Sequence, residues 1–307
     1  MKKSTVIIVL GVAIAGGIWY RQTHIPSNAT PLASPSGETE TAIPSISLPP
    51  TDDPSTPDPI ETNPVETSPP TKPVDNAGSG ATKPAIAALL ADSLPNLTIE
   101  KNKDGLPVVT NTSSLYVLVN KKRNLPANYE PRDLVVPDVA FSFSGNSPKK
   151  KMRKEAAAAL EKLFKAAEKD GIELKAVSGY RSYATQKSIF ENNANTKGEE
   201  VANRTSARPG QSEHQTGLAM DVSSASVGYG LEESFGKTKE GKWLAKHAAD
   251  HGFIIRFMKG KETVTGYSYE PWHVRYVGKE VAKDITKKNV TLEEYFDDIA
   301  SSINRKA

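Results

Sequence analysis

Ser212-Glu213-His214-Gln215-Thr216-Gly217-Leu218-Ala219-Met220-Asp221 is the stretch on which the reading of this chain turns. It has the form S-x-H-x-x-G-x-A-x-D and carries an imidazole and a carboxylate, two ligand types that suit Zn²⁺. His214 and Asp221 stand seven positions apart, so a single straight strand would point them to opposite faces. Gly217 resolves the conflict, because glycine lets the chain turn where other residues are strained. The spacing therefore predicts His214 on a loop and Asp221 on a strand over residues 218–223. A third ligand is available in Glu270-Pro271-Trp272-His273-Val274-Arg275.

Around these two stretches the apolar periodicity alternates between helix and strand. Ala156, Leu160, Leu163, Phe164 and Ala167 recur at helical spacing, and Gly171 closes a helix predicted over 149–170. Further helices are predicted over 85–94, 182–192, 239–251 and 291–304. Strands are predicted over 114–119, 172–177, 252–257 and 272–277. There is no internal repeat and no regular β-α-β alternation. The fold class is therefore α+β, a mainly antiparallel central sheet flanked by helices.

The N-terminal part has a different composition. Met1 to Ser4 is positively charged, and residues 5–20 are uncharged and mostly apolar, closed by Arg21. Such a segment directs export of the chain attached to it. Ala13-Ile14-Ala15 fits a cleavage site, whereas Trp19 and Tyr20 resemble interfacial anchors, so residues 1–25 are a signal peptide or a membrane anchor. Residues 26–84 hold fourteen of the twenty-two prolines, with eight acidic and two basic side chains and no apolar period. A disordered linker is expected over 26–85 and one folded domain over 86–307. Either reading of the leader places the domain outside the cytoplasmic membrane, at the cell wall.

The chain has no cysteine, which excludes disulfides, thiolate metal sites and a cysteine nucleophile. Net charge is +3 overall, with the linker acidic and the domain mildly basic. That bias suits an anionic wall polymer. No arginine-rich stripe with interleaved aromatics points to nucleic acid.

Of five histidines, His247 and His251 have chelating i, i+4 spacing on a predicted helix but lack a glutamate between them. They read as helix surface. His273 comes after a strand start broken by Pro271, which lets Glu270 turn toward the same side. A carboxylate next to a metal site is the general base that metal-assisted hydrolysis needs. Two histidines, one aspartate and an open fourth position have the composition of a catalytic zinc centre. Arg275 shares the strand face of His273 and is expected to pair with an acid. Glu213 is expected to face away.

SEHQTGLAMD and YEPWHVR resemble the signature motifs of the VanY-type D-alanyl-D-alanine carboxypeptidases. That zinc peptidase group also contains D-Ala-D-Ala dipeptidases and LdcB-type L,D-carboxypeptidases. Val177-Ser178-Gly179-Tyr180-Arg181-Ser182-Tyr183, with Gln186, resembles a further segment of the family, and the likeness runs from about Tyr116 to Phe296. The resemblance implies Zn²⁺ held by His214, Asp221 and His273, with Glu270 as base. It also implies Arg181 near the scissile carbonyl oxygen, and Gln186 and Ser212 near the terminal carboxylate of the substrate. For Arg181 the residues alone leave an oxyanion donor and a helix-start salt bridge equally open. The implied activity is removal of the C-terminal D-Ala from peptidoglycan stem peptides, and a monomer is expected. An L,D-carboxypeptidase, an endopeptidase and a non-catalytic wall-binding module whose zinc only stabilises the fold are the alternatives.

Overall fold

The computed structural model describes residues 83–305. The expected leader and nearly all of the expected linker lie outside the described residues. Helix α1 (Lys83–Leu90) begins ahead of the expected domain boundary at residue 86. After it come a hairpin of β1 (Ile99–Lys101) and β2 (Pro107–Val109), then the short antiparallel pair β3 (Leu134–Val135) and β4 (Met152–Arg153). Next come α2 (Lys154–Lys169), β5 (Lys175–Ser178), α3 (Tyr183–Lys197) and α4 (Glu199–Thr205). The remaining elements are β6 (Ala219–Ser223), α5 (Lys239–His247), β7 (Phe253–Phe257), α6 (Glu262–Thr265), β8 (Glu270–Tyr276), α7 (Lys279–Lys288) and α8 (Leu292–Asn304).

The central sheet has four strands in the order β5-β6-β8-β7, every neighbouring pair antiparallel. The α+β architecture expected from the sequence is the one observed. Alternation along the strands gives the sheet two unlike faces. Met220, Val222, Val274 and Phe253 pack with Ala156, Leu160, Leu163 and Ala167 of α2 in one apolar cluster. On the opposite face Ile254 joins a second cluster built from α1, α7 and α8, including Leu90, Val281, Ile285, Tyr295 and Phe296. Asp221, His273, Arg275 and Arg256 share the alternation of Ile254, so the polar groups and the second cluster divide that face between them.

Several elements differ from the sequence-based expectation for identifiable reasons. Residues 114–119 form no strand, although Val117, Leu118 and Val119 are buried. The carbonyls of Leu115 and Val117 accept from the Arg275 guanidinium, and that of Leu118 from Arg123 Nε. Side-chain donors thus occupy the acceptors that a strand ladder would use. The helix expected from residue 149 starts at Lys154, because Pro148 sets up a separate 3₁₀ turn and Met152 pairs with Val135. The helix expected over 239–251 ends at His247 and tightens into a 3₁₀ turn before Gly252. The strand expected from Trp272 starts at Glu270, and α7 stands where no element was expected.

Helix α8 opens with a reciprocal cap. Thr291 Oγ1 accepts from the Glu294 backbone N–H at 3.1 Å, and Glu294 Oε2 accepts from the Thr291 N–H at 2.8 Å. Thr291→Ala removes one arm and should lower stability by about 1 kcal/mol. Urea unfolding with an unchanged slope and a lower midpoint is the expected result, and an unchanged midpoint would contradict this role for the cap.

Candidate active site

Asp221 of β6 and His273 of β8 are direct register partners, so their side chains rise from the same face of the sheet. His214 comes from a 3₁₀ turn, Glu213–Thr216, immediately before β6. Gly217 ends that turn in the left-handed region at φ 68°, which is the reversal that brings His214 back over Asp221. Asp221 and the two imidazoles lie together and buried. Asp221 Oδ1 is 3.0 Å from His273 Nδ1, and Oδ2 is 3.3 Å from His214 Nε2. Ligands bound tetrahedrally to zinc at about 2.0–2.1 Å stand roughly 3.3 Å apart. The two contacts use different oxygens of Asp221, and one donor atom from each of the three residues lies within 4.8 Å of the others, so the donor set is of the type that can hold Zn²⁺.

The nitrogens turned away from that centre are also held. His214 Nδ1 lies 2.8 Å from the Gly179 carbonyl, and His273 Nε2 lies 3.4 Å from Glu213 Oε2. Such outer partners fix which ring nitrogen is free to bind a metal. Gly179 allows this approach because its backbone is wedged against the 3₁₀ turn before β4 and against Met220 of β6. A Cβ there would lie 2.5 Å from the Lys151 carbonyl oxygen and 2.8 Å from the Met220 methyl.

Glu270 reaches the same centre from the start of β8, its Oε2 4.0 Å from His273 Nδ1. The register of β7 against β8 shifts between Ile255 and Phe257, which pair with Val274 and Glu270 respectively. Extra residues of β8, Pro271 among them, fall in that irregularity, which turns Glu270 toward the His273 side despite the odd offset. Burial pushes the Glu270 carboxyl up to about 7; Asp221 and Glu213 add to the rise, and His273 and Arg181 oppose it. Burial alone would depress His273, but hydrogen bonds to Asp221 and Glu213 overcome it and raise the imidazole to about 9. Burial also acts against ionised Asp221, and the two histidines reverse this and hold its carboxyl well below the usual range.

These groups line a cleft of about 280 Å³ with Arg181, Ser212, Trp272, Tyr267 and the small residues Ser206 and Ala207. That volume is at the low end for ligand pockets and suits the end of a chain. Arg181 precedes α3, whose first turn is capped by Ser182 Oγ. Its Nη1 donates to Gln186 Oε1 at 2.9 Å and its Nη2 to Ser178 Oγ at 3.1 Å, while Nε is buried with no protein acceptor. No carboxylate salt-bridges it among the described residues, which disfavours the helix-start pairing. Gln186 is hydrogen-bonded within the protein. It does not line the cleft but stands behind Arg181, with Nε2 donating to the Ala207 carbonyl at 2.7 Å. Its amide braces Arg181 and the cleft wall. Ser212 does line the cleft.

Glu213 also corrects the expectation: it faces inward, 3% exposed, between Arg256 and Arg275. Arg275 pairs with an acid as expected, and that acid is Glu213. Sequence reasoning missed Arg256. The available signal was a lone arginine in the apolar run Phe253–Phe257, since a charge inside a strand so apolar needs a buried partner. His247 stacks on Trp243 at 4.7 Å and joins no metal-binding group among the described residues, in line with its reading as helix surface.

A buried carboxylate-imidazole cluster opening on a small cleft is a site that can hold a metal ion. Residues 149–279 match the family model for VanY, D-alanyl-D-alanine carboxypeptidase. The chain is 56% identical over 199 residues to YodJ of Bacillus subtilis (strain 168), covering 65% of this chain and 73% of that one. It is 34% identical over 201 residues to VanXYC of Enterococcus gallinarum, a bifunctional D-Ala-D-Ala dipeptidase and D-Ala-D-Ala carboxypeptidase, covering 62% of this chain and 97% of that one. Among solved structures, the LdcB LD-carboxypeptidase matches at 56% identity with a TM-score of 0.63, covering 65% of this chain and 92% of that chain. The chain belongs to the VanY family of peptidoglycan carboxypeptidases.

The raised pKa of His273 predicts a pH signature in metal-free protein. A folded-state value of about 9, above the ordinary 6.5, gives stability present below 6.5 and lost as pH rises through 9. Glu270, raised to about 7, is half ionised at pH 7 and shares the first part of the fall, so the part nearest pH 9 belongs to His273. Thermal unfolding of chelator-treated protein should show Tm falling between pH 7 and 9. A variant His273→Gln with the same slope would contradict the assignment.

Proposed function

We propose that this chain is an extracytoplasmic, zinc-dependent carboxypeptidase that releases the C-terminal D-alanine of peptidoglycan stem peptides. The observation that carries the reading is the buried trio His214, Asp221 and His273, with Glu270 Oε2 4.0 Å from His273 Nδ1. In this reading those three residues bind one Zn²⁺, which supplies Lewis acidity toward the peptide carbonyl and acidifies water. Glu270 takes a proton from the attacking water on its carboxylate and returns it to the nitrogen of the departing D-alanine. Arg181, held by Gln186 and Ser178, offers its unpartnered Nε–H to the oxygen on which negative charge develops. Ser212 contacts the terminal carboxylate. The reaction is hydrolysis, with one amide bond broken and one water consumed.

The bond cut is the L,D bond at the end of a tetrapeptide stem. Support for this is the 56% identity to the LdcB LD-carboxypeptidase against 34% to VanXYC. The D,D bond of a pentapeptide is the second reading, supported by VanXYC and by the family description. The apolar segment over residues 5–20 supports export, with the Pro-rich stretch as a tether that lets a monomeric domain search the wall. A mildly basic domain without an arginine-rich stripe gives no support to a nucleic-acid role.

The full chain should release D-alanine from tetrapeptide muropeptides, and a chelator should abolish the release. Release from pentapeptides alone would move the assignment to the D,D bond, and release from neither would overturn it. Glu270→Gln keeps size and hydrogen bonding but cannot carry the proton. It should slow single-turnover hydrolysis by around 10²–10⁴-fold with zinc content unchanged. Activity within a few-fold of the unaltered protein would remove Glu270 from the base role.

A further inference from the structure

Behind the metal-ligand cluster lies a second set of charges that the hydrolytic chemistry does not use. Glu213 Oε1 accepts from two arginines, Arg256 Nε at 2.8 Å and Arg275 Nη1 at 2.7 Å. With one oxygen occupied twice, the other, Oε2, is left facing His273 Nε2 at 3.4 Å. Each arginine is itself fastened. Arg275 Nη2 donates to the carbonyls of Leu115 and Val117 at 3.0 and 2.8 Å. Arg256 makes a two-point fork with Glu293, Nη1 to Oε2 at 2.9 Å and Nη2 to Oε1 at 2.6 Å. Glu293 is in the first turn of α8, where the helix N-terminus favours a carboxylate, and it also accepts from Asn120 Nδ2 at 3.1 Å.

Both arginines are fully buried, and two carboxylates balance two guanidiniums. Such buried clusters are weak sources of stability, because desolvation offsets most of the attraction, and apolar replacements are often as stable. The geometry makes sense as positioning. A fork has one orientation, so Glu293 fixes Arg256, Arg256 and Arg275 fix Glu213, and Glu213 holds His273 Nε2. His273 Nδ1 is thereby kept toward Asp221 and His214. Glu293, Asn120, Leu115 and Val117 all lie outside the family-matched segment 149–279.

We infer that Glu293 is a positioning residue for the metal ligand His273, acting through Arg256 and Glu213, so that zinc affinity depends on the seating of the C-terminal helix α8. The inference rests on the zinc reading above. Loss of an outer-shell partner of a ligating histidine typically weakens metal binding by 10–100-fold. Two bonds further out, Glu293→Gln should weaken it by about tenfold, the lower end of that range.

The test is the zinc Kd of the full chain by chelator competition, for the unaltered protein, Glu293→Gln and Arg256→Lys, with Tm recorded for metal-free and metal-loaded forms. Glu294→Gln is the control: it shares the helix start but pairs with Lys261 at 2.7 Å, outside the relay. Expected is a raised Kd for Glu293→Gln and Arg256→Lys, a Kd near the original for Glu294→Gln, and a smaller rise of Tm on zinc addition in the first two. A purely structural role would lower Tm equally with and without metal and leave Kd unchanged. Folded Glu293→Gln with a Kd within twofold of the original would overturn the inference. Should Arg256→Lys not fold, Glu293→Gln alone decides. Unaltered protein that bound no zinc would overturn the metal-site reading and this inference with it, whereas zinc binding unchanged across the variants would overturn only the relay.

Discussion

Asp221 and His273 face each other across two hydrogen-bonded strands, and the candidate site depends on that register. A slip of one residue would send one of the two side chains into the apolar layer on α2 and break the cluster. The register is held by what lies on the other face, where Met220, Val222 and Val274 are fully buried against α2. Packing on one side of the sheet therefore sets the geometry of the candidate ligands on the other. His214 adds itself by a turn at Gly217, and Glu270 by the irregularity at Pro271. Both are local departures from regular structure attached to a regular frame.

A site of this kind places many charges in a poor dielectric, and the surrounding residues show how that is tolerated. Arg256 and Arg275 offset the burial of Glu213 and hold its carboxyl well below the usual range. Burial lowers His214, with Arg181 and His273 adding to the effect against Asp221. Glu270 is the exception, since no arginine or lysine salt-bridges it among the described residues and burial dominates. A carboxyl poised near neutrality at the cleft suits proton transfer in both directions, whereas one locked in an ion pair serves as scaffold. Environment thus divides the work between Glu270 and Glu213.

Much of the site was legible because its residues lie in two short motifs. The offset from His214 to Asp221 demanded a turn, and Gly217 supplied it. Pro271 marked the place where Glu270 leaves strand alternation. The helix over α8 was readable from Thr291 and Glu294 at capping spacing. What could not be read depends on distant contacts. Residues 114–119 have the composition of a strand, yet guanidinium donors take their carbonyls. Glu213 looks like a solvated neighbour of His214 until Arg256, forty-three positions later, is folded against it. Gln186 carries no mark distinguishing an amide that touches substrate from one that braces Arg181.

The central claim is that sheet register and one glycine turn bring His214, Asp221 and His273 onto a single zinc ion. X-ray absorption at the zinc edge on protein loaded with one equivalent of metal measures this most directly. The expected spectrum shows nitrogen and oxygen ligands at about 2.0–2.1 Å, with outer-shell scattering from two imidazoles that falls to one in His273→Ala. A spectrum with one imidazole or none in the unaltered protein, or one unchanged by His273→Ala, would contradict the claim.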